Sequence, residues 1–217
     1  MSIKHHIADD LIMAYAAGDL DEGLSLAVAT HLALCAECRA RVREAESIGG
    51  ALLESIAPVN VSTGALQSVL SRIDETPQIV RPPKPSVQPS SDIIIPEPLR
   101  SYVGGDVDAL EWRSLGRGAY HIPIHKGETS ARLLRIPAGK PVPDHGHTGR
   151  ELTVVLSGSF HDDRGVFFRG DVEDCDDSVH HQPIAGEGED CICLAVTEAP
   201  LRFKSLAARL AQPFIGI

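Results

Sequence analysis

GKPVPDHGHTGRELTVVLSG, residues 139–158, opens and closes on glycine and carries His145, His147 and Glu151 between them. Residues two apart on a strand share a face, so His145, His147 and Glu151 are placed on and beside one strand, pointing inward. The apolar, β-favouring run 152–156 continues that strand, and a glycine at each end permits the flanking turns. Imidazoles with a carboxylate suit zinc, iron, manganese or nickel and can leave a coordination position open. Further along, His180 and His181 offer one more imidazole. The runs 131–136, 165–168 and 191–197 alternate with Gly- and Asp-containing turns, the texture of an antiparallel sandwich or barrel. No internal repeat is apparent.

Upstream the texture changes twice. Residues 76–98 hold seven of the fifteen prolines, which remove backbone donors and disfavour helix in the residue before each. This segment reads as a semi-extended linker, except that Ile93, Ile94 and Ile95 are expected to dock as an edge strand on the β-rich region after it. Before the linker the pattern is helical. Ile7, Leu11, Ala14 and Tyr15 share a face, with Gly18 as a stop; Leu24, Val28, His31, Leu32 and Cys35 recur at helical spacing. A third helix is expected over 37–57, weakened by Gly49 and Gly50, and a fourth carries Leu66, Val69, Leu70 and Ile73.

The second helix brings another donor set. His31 and Cys35 are four apart and point the same way, and Cys38 lies three beyond. Three corners of a tetrahedron are filled; His5 or His6 is the nearest source of the fourth. Thiolate with imidazole favours a closed zinc site, and in so small a bundle the binding energy becomes folding energy. Cys175 sits among acidic residues and reads as an exposed loop thiol, whereas Cys191 and Cys193 alternate on a strand and face the interior together. Five cysteines, odd in number and closely spaced, do not read as a secreted disulfide framework.

Net charge is −10 over 217 residues, with the acidic excess spread over both halves. Phosphate binding needs clustered Lys and Arg, so direct DNA recognition is disfavoured and a basic protein partner fits better. No apolar run reaches 18 residues and no signal peptide is evident, which points to the cytoplasm.

These motifs resemble known families. His31-x-x-x-Cys35-x-x-Cys38 with an upstream histidine is similar to the zinc-binding anti-sigma domain over residues 1–75. That resemblance implies His6, His31, Cys35 and Cys38 as zinc ligands and an extracytoplasmic-function sigma factor as partner. Gly139-x5-His145-x-His147-x3-Glu151-x6-Gly158 matches the first cupin motif in every spacing. In the second motif Gly170 is present and counting on reaches His181 at the ligand position, while Asp176, Ser178 and Ala185 replace the usual proline, glycine and asparagine. Nearly the whole chain resembles the ChrR-type anti-sigma factors, including Lys4-His5-His6, the 143–147 run and the 190–194 run.

The implied architecture is α+β in two domains: a small zinc-bound helical bundle (1–75), a proline-rich linker (76–98) and an antiparallel β-barrel of the cupin type (99–217). The implied function is sequestration of a sigma factor, with the cupin domain and its own divalent transition metal biasing release under oxidative stress such as singlet oxygen. A metal-dependent, dioxygenase-like cupin enzyme with a regulatory zinc module is the competing expectation, although no acid–base constellation beyond the ligands stands out. Homodimerisation through the cupin domain is compatible with the sequence but not demanded by it.

Overall fold

A computed structural model describes residues 2–75, 93–116 and 118–204; most of the proline-rich segment lies outside them. Four helices come first: α1 (Asp9–Ala17), α2 (Glu22–Leu34), α3 (Ala36–Glu54) and α4 (Ala65–Glu75). Gly18 ends α1 in the left-handed conformation (φ 73°), donating to the Tyr15 carbonyl. Asp21 caps α2 by accepting from the backbone N–H of Leu24 at 2.9 Å. Cys35, in extended conformation, separates α2 from α3, and its sulfur accepts from the Cys38 N–H at the start of α3. α3 runs through Gly49 and Gly50 without a break.

Ile93–Ile95 do not form a strand. Ile95 is fully buried, but the N–H groups of Ile94 and Ile95 donate to the Asp106 carboxylate, and Arg169 donates to the carbonyls of Ile93 and Ile94. Side chains satisfy this backbone, so no ladder is needed. A short helix, α5 (Leu99–Val103), comes next.

The remainder is β: β1 (Arg113–Gly116), β2 (Ala119–Lys126), β3 (Ser130–Ile136), β4 (His145–Gly146), β5 (Glu151–Ser157), β6 (Ser159–Asp162), β7 (Gly165–Phe168), β8 (Val172–Cys175), β9 (His180–His181), β10 (Ile184–Ala185), β11 (Cys191–Thr197) and β12 (Arg202–Phe203). Every pairing is antiparallel. One sheet has the order β1-β2-β3-β11-β5-β8, and two smaller ones have the orders β10-β6-β7 and β12-β4-β9. The described strands do not close into one hydrogen-bonded ring; instead residues of all three sheets wall a common interior.

The large sheet is covered on both faces, which explains why β5 and β11 are buried at nearly every position. On β11, Cys191, Cys193 and Ala195 look into the interior, while Leu194 and Val196 join a core with Val28, Ala27 and Leu24 of α2. Gly23 makes that approach fit: a Cβ there would lie 2.1 Å from Thr129 Oγ1. The helical segment and the β-domain therefore share one continuous apolar core. At the rim, Arg150 pairs with Asp10 of α1 and Asp174 of β8, which holds the Arg150 guanidinium protonated more firmly than usual.

Candidate metal centres

The break at Cys35 aims both sulfurs at the segment before α1. His6 Nδ1 lies 3.4 Å from Cys35 Sγ and 3.5 Å from Cys38 Sγ. A tetrahedral zinc with ordinary Zn–S and Zn–N bonds would separate such donors by about 3.6 Å, so the spacing fits the ion. His31 completes the group, and donor atoms of all four residues lie within 4.8 Å of one another. His31 Nε2 is buried without a hydrogen-bond partner, while Nδ1 lies 2.8 Å from the Gly170 carbonyl. A buried nitrogen with no hydrogen-bond partner beside two thiols fits the chemistry of a metal ligand. Burial pushes the His31 pKa down to about 4, which keeps the ring neutral and able to ligate.

His6 Nε2 faces Glu37 at 3.5 Å, so each imidazole has an outer acceptor. Burial pushes the Cys38 thiol up, with Arg41 pulling the other way; a bound cation would make the thiolate the stable form. Of the two neighbouring histidines, His6 and not His5 stands beside the sulfurs. The His5 ring packs on Phe167, 4.4 Å between centroids, away from the sulfurs.

The second centre lies inside the β-domain. β4 pairs with β9 so that His145 stands opposite His181, and His147, just beyond β4, sets its ring against both. The three Nε2 atoms converge: His181 lies 3.2 Å from His145 and 3.3 Å from His147. Bonds of about 2.0–2.1 Å to a shared ion give spacings of roughly 3.0–3.4 Å, so this triad can also hold a metal. His180 points outward and pairs with Asp144 at 2.8 Å. Burial lowers the pKa of His147 to about 4 and also lowers that of His145, whose Nδ1 is anchored on the Pro143 carbonyl at 2.7 Å.

Glu151 does not join the triad in this arrangement. Its carboxylate lies 3.7 Å from His147 Nδ1, the nitrogen turned away from the other two rings, and accepts from Thr153 Oγ1 at 3.2 Å. Thr153 is two residues along the same face, and both side chains line the cavity beside the triad.

Sequence reasoning missed the carboxylates behind His181. Its Nδ1 lies 2.7 Å from Asp162 and 3.4 Å from Glu173. Burial opposes the His181 cation, but these two groups outweigh it and raise the pKa. Burial raises Glu173, while hydrogen bonds from His181 and Glu173 hold Asp162 low. Asp162 is on another sheet, so no spacing in the sequence announces it. Cys175 also differs from expectation: it is 1% exposed, on β8, beside Glu173 and His181. Asp174 points the opposite way to Arg150, so strand alternation buries the sulfur despite its acidic neighbours.

Next to the triad is a cavity of about 720 Å³, walled by Leu134, Ile136, Val142, Phe160 and Phe203 with Arg132. Cys191 and Cys193 line it as expected, and all five cysteines are free thiols. Contact with Cys191, then burial, pushes the Cys193 thiol well up.

The far end of the helical segment is the reverse of buried. Ile48, Leu52, Leu53 and Ile56 on and just beyond α3, and Leu66, Val69, Leu70 and Ile73 on α4, are all exposed. Scattered apolar residues are ordinary, but eight on consecutive elements mark an interaction surface. Among the described residues, no helix is long and apolar enough to cross a membrane.

Comparison with known proteins finds two family matches. The ChrR cupin-like domain family matches residues 101–200, and a zinc-finger family matches residues 6–39. The chain is 49% identical to the anti-sigma-E factor ChrR of Cereibacter sphaeroides over the full length of both. Among solved structures it is similar to a chain of the Rhodobacter sphaeroides SigE complex with the anti-sigma ChrR. There the identity is 46%, the TM-score 0.77, and coverage 90% of this chain and 99% of the other. An RmlC-like cupin protein of Ralstonia eutropha aligns at 23% identity and TM-score 0.40, over 47% of this chain and 71% of its own.

Proposed function

We infer, from a chain that belongs to the ChrR family of anti-sigma factors, that it binds and sequesters an extracytoplasmic-function sigma factor. The observation that carries this reading is the exposed apolar stripe of α3 and α4, which no other part of the described chain covers. A helix whose apolar face meets nothing in its own fold is built to meet a partner. Residues 1–75 supply that surface, residues 99–217 form the regulatory cupin domain, and 76–98 connect them. The setting is the cytoplasm, where sigma factors act.

In this reading His6, His31, Cys35 and Cys38 hold zinc, which ties the segment before α1 to α2 and α3. His145, His147 and His181 hold a second divalent transition metal, zinc or another, with Glu151 a side-chain rotation away as the fourth ligand. That ion would supply a Lewis-acidic or redox-active centre at the cavity. The chain's own residues orient it: Pro143, Asp162 and Glu173 fix the rings. Release under oxidative stress, singlet oxygen being one source, is assigned to the cupin domain, supported by the paired thiols of Cys191 and Cys193 facing the cavity. The same cavity would serve a dioxygenase-like enzyme, for which oxygen consumption by the iron-loaded protein is the test.

The deciding experiment is competition between the full-length protein and core RNA polymerase for a purified extracytoplasmic-function sigma factor, with a H31A/C35A variant as control. Zinc-dependent displacement of the polymerase is expected. A folded, zinc-loaded protein that leaves the sigma factor on the polymerase would overturn the reading.

A further inference from the structure

The turn between β7 and β8 meets the N-terminal arm and α2 through a set of hydrogen bonds. The Gly170 carbonyl receives the His31 ring at 2.8 Å. One oxygen of Asp171 accepts the backbone N–H groups of Lys4, at 2.7 Å, and His5, at 3.0 Å. The other oxygen accepts from Phe168 N–H within the turn at 2.8 Å. Val172 N–H donates to the His5 carbonyl at 3.1 Å. Ile3 closes over the top: a Cβ on Gly170 would lie 2.6 Å from Ile3 Cδ1. Asp171 is itself 1% exposed. The residues just before His6 are thus clamped to the turn, and the His31 ring is aimed by it. Two of the four donors of the first centre take their orientation from the β-domain.

The chemistry of an imidazole ligand gives this weight. A ring that binds through Nε2 carries its proton on Nδ1, and an acceptor there fixes both tautomer and orientation while raising basicity. Here the acceptor is a backbone carbonyl 139 residues away in the chain.

We propose that the Gly170 carbonyl and the Asp171 carboxylate are positioning groups for the N-terminal zinc site, so that zinc affinity depends on docking of the cupin domain. The inference rests on the zinc reading of that site. By linkage, zinc binding tightens the docking by the same factor. The turn runs directly into β8, whose Glu173 touches His181, so a short stretch of chain joins the two centres.

The test uses the full-length protein and two variants, D171N and I3D. D171N keeps the shape of the side chain but sets an amide against backbone donors. I3D undocks the N-terminal arm by putting a charge where Ile3 packs over Gly170, and leaves the Asp171 carboxylate in place, so it decides the matter if D171N does not fold. Cobalt(II) loading in a Cys175→Ser background reports the first centre, because thiolate-to-cobalt absorption cannot come from a triad of imidazoles. Zinc competition then gives the affinity, and proton exchange at His31 Nδ1 reports the tautomer contact. Both variants are expected to lose about 10-fold or more in zinc affinity, with faster exchange at that ring. Folded variants that bind zinc within about two-fold of the parent protein would overturn the proposal, since outer-sphere partners ordinarily exceed that effect. A parent protein showing no thiolate–metal absorption would overturn the zinc reading and this inference with it.

Discussion

Converting the α4 stripe to serine, as L66S/V69S/L70S/I73S, is the perturbation that most directly probes the interaction surface. The four side chains are 72, 52, 44 and 64% exposed, so together they leave about two whole aliphatic side chains in water. Full burial of one such side chain is worth about 2 kcal/mol. Covering the stripe with a partner therefore yields about 4–5 kcal/mol, which corresponds to roughly a thousand-fold in affinity. Ordering of side chains at the interface subtracts from this, so a loss of about 100- to 1,000-fold is expected. Because these residues contribute little to the described fold, circular dichroism and thermal melting should be unchanged. Titration of a labelled sigma factor by anisotropy reads the affinity. A loss below about five-fold, under 1 kcal/mol by the same conversion, would show that the stripe is not the contact surface and refute the reasoning.

Three other outcomes rest on specific contacts. Gly158 and Gly139 both have positive φ, but a Cβ on Gly158 would lie 2.5 Å from the Asp190 carbonyl, whereas on Gly139 it meets only the flexible end of Glu187 at 2.9 Å. G139A should cost about 1–2 kcal/mol from the left-handed backbone alone, and G158A about 1–3 kcal/mol more from overlap; equal urea midpoints for the two would contradict this. Treatment with a strong chelator should make Cys35 and Cys38 reactive to iodoacetamide well before Cys175, Cys191 and Cys193, which are held on paired strands of the β-domain; peptide mass spectrometry would show the order, and uniform labelling would count against it. In the metal-free protein His31 is buried neutral with a pKa of about 4, below its unfolded value. Its contribution is therefore present above about pH 6.5 and is lost as pH falls toward 4, by about 2 kcal/mol at about pH 5; an unfolding free energy that His31→Asn leaves equally pH-sensitive would exclude it as the source.

Much of the candidate site is legible in the sequence because its chemistry is local. His31, Cys35 and Cys38 are so close in the chain that spacing alone marks them as one donor set, although it is the break at Cys35, not one continuous helix, that turns the sulfurs together. His145 and His147 are marked as a pair by the same closeness. The elements around them are readable where burial is one-sided or complete, as with α1 ending at Gly18 or the continuous apolar run of β11. Cys175 is misread because its acidic neighbours look solvated. Their partners, Arg150 for Asp174 and His181 for Glu173, come from other strands and are invisible to any local window. Ile93–Ile95 has strand composition but finds its hydrogen bonds on Asp106 and Arg169.

The sequence by itself determined that there are two donor sets, which residue types they contain, and that one is soft and the other harder. Tertiary structure alone decided the rest. It put His6 rather than His5 beside the sulfurs and His181 rather than His180 beside His145 and His147, left the Glu151 carboxylate on the far nitrogen of His147, placed Asp162 behind His181, and set the Gly170 carbonyl against the His31 ring. The physical reason is range. Helix and strand periodicity fix the direction of a side chain within a few residues, whereas burial, tautomer and outer-sphere contacts depend on which distant backbone the packed core brings within hydrogen-bonding distance.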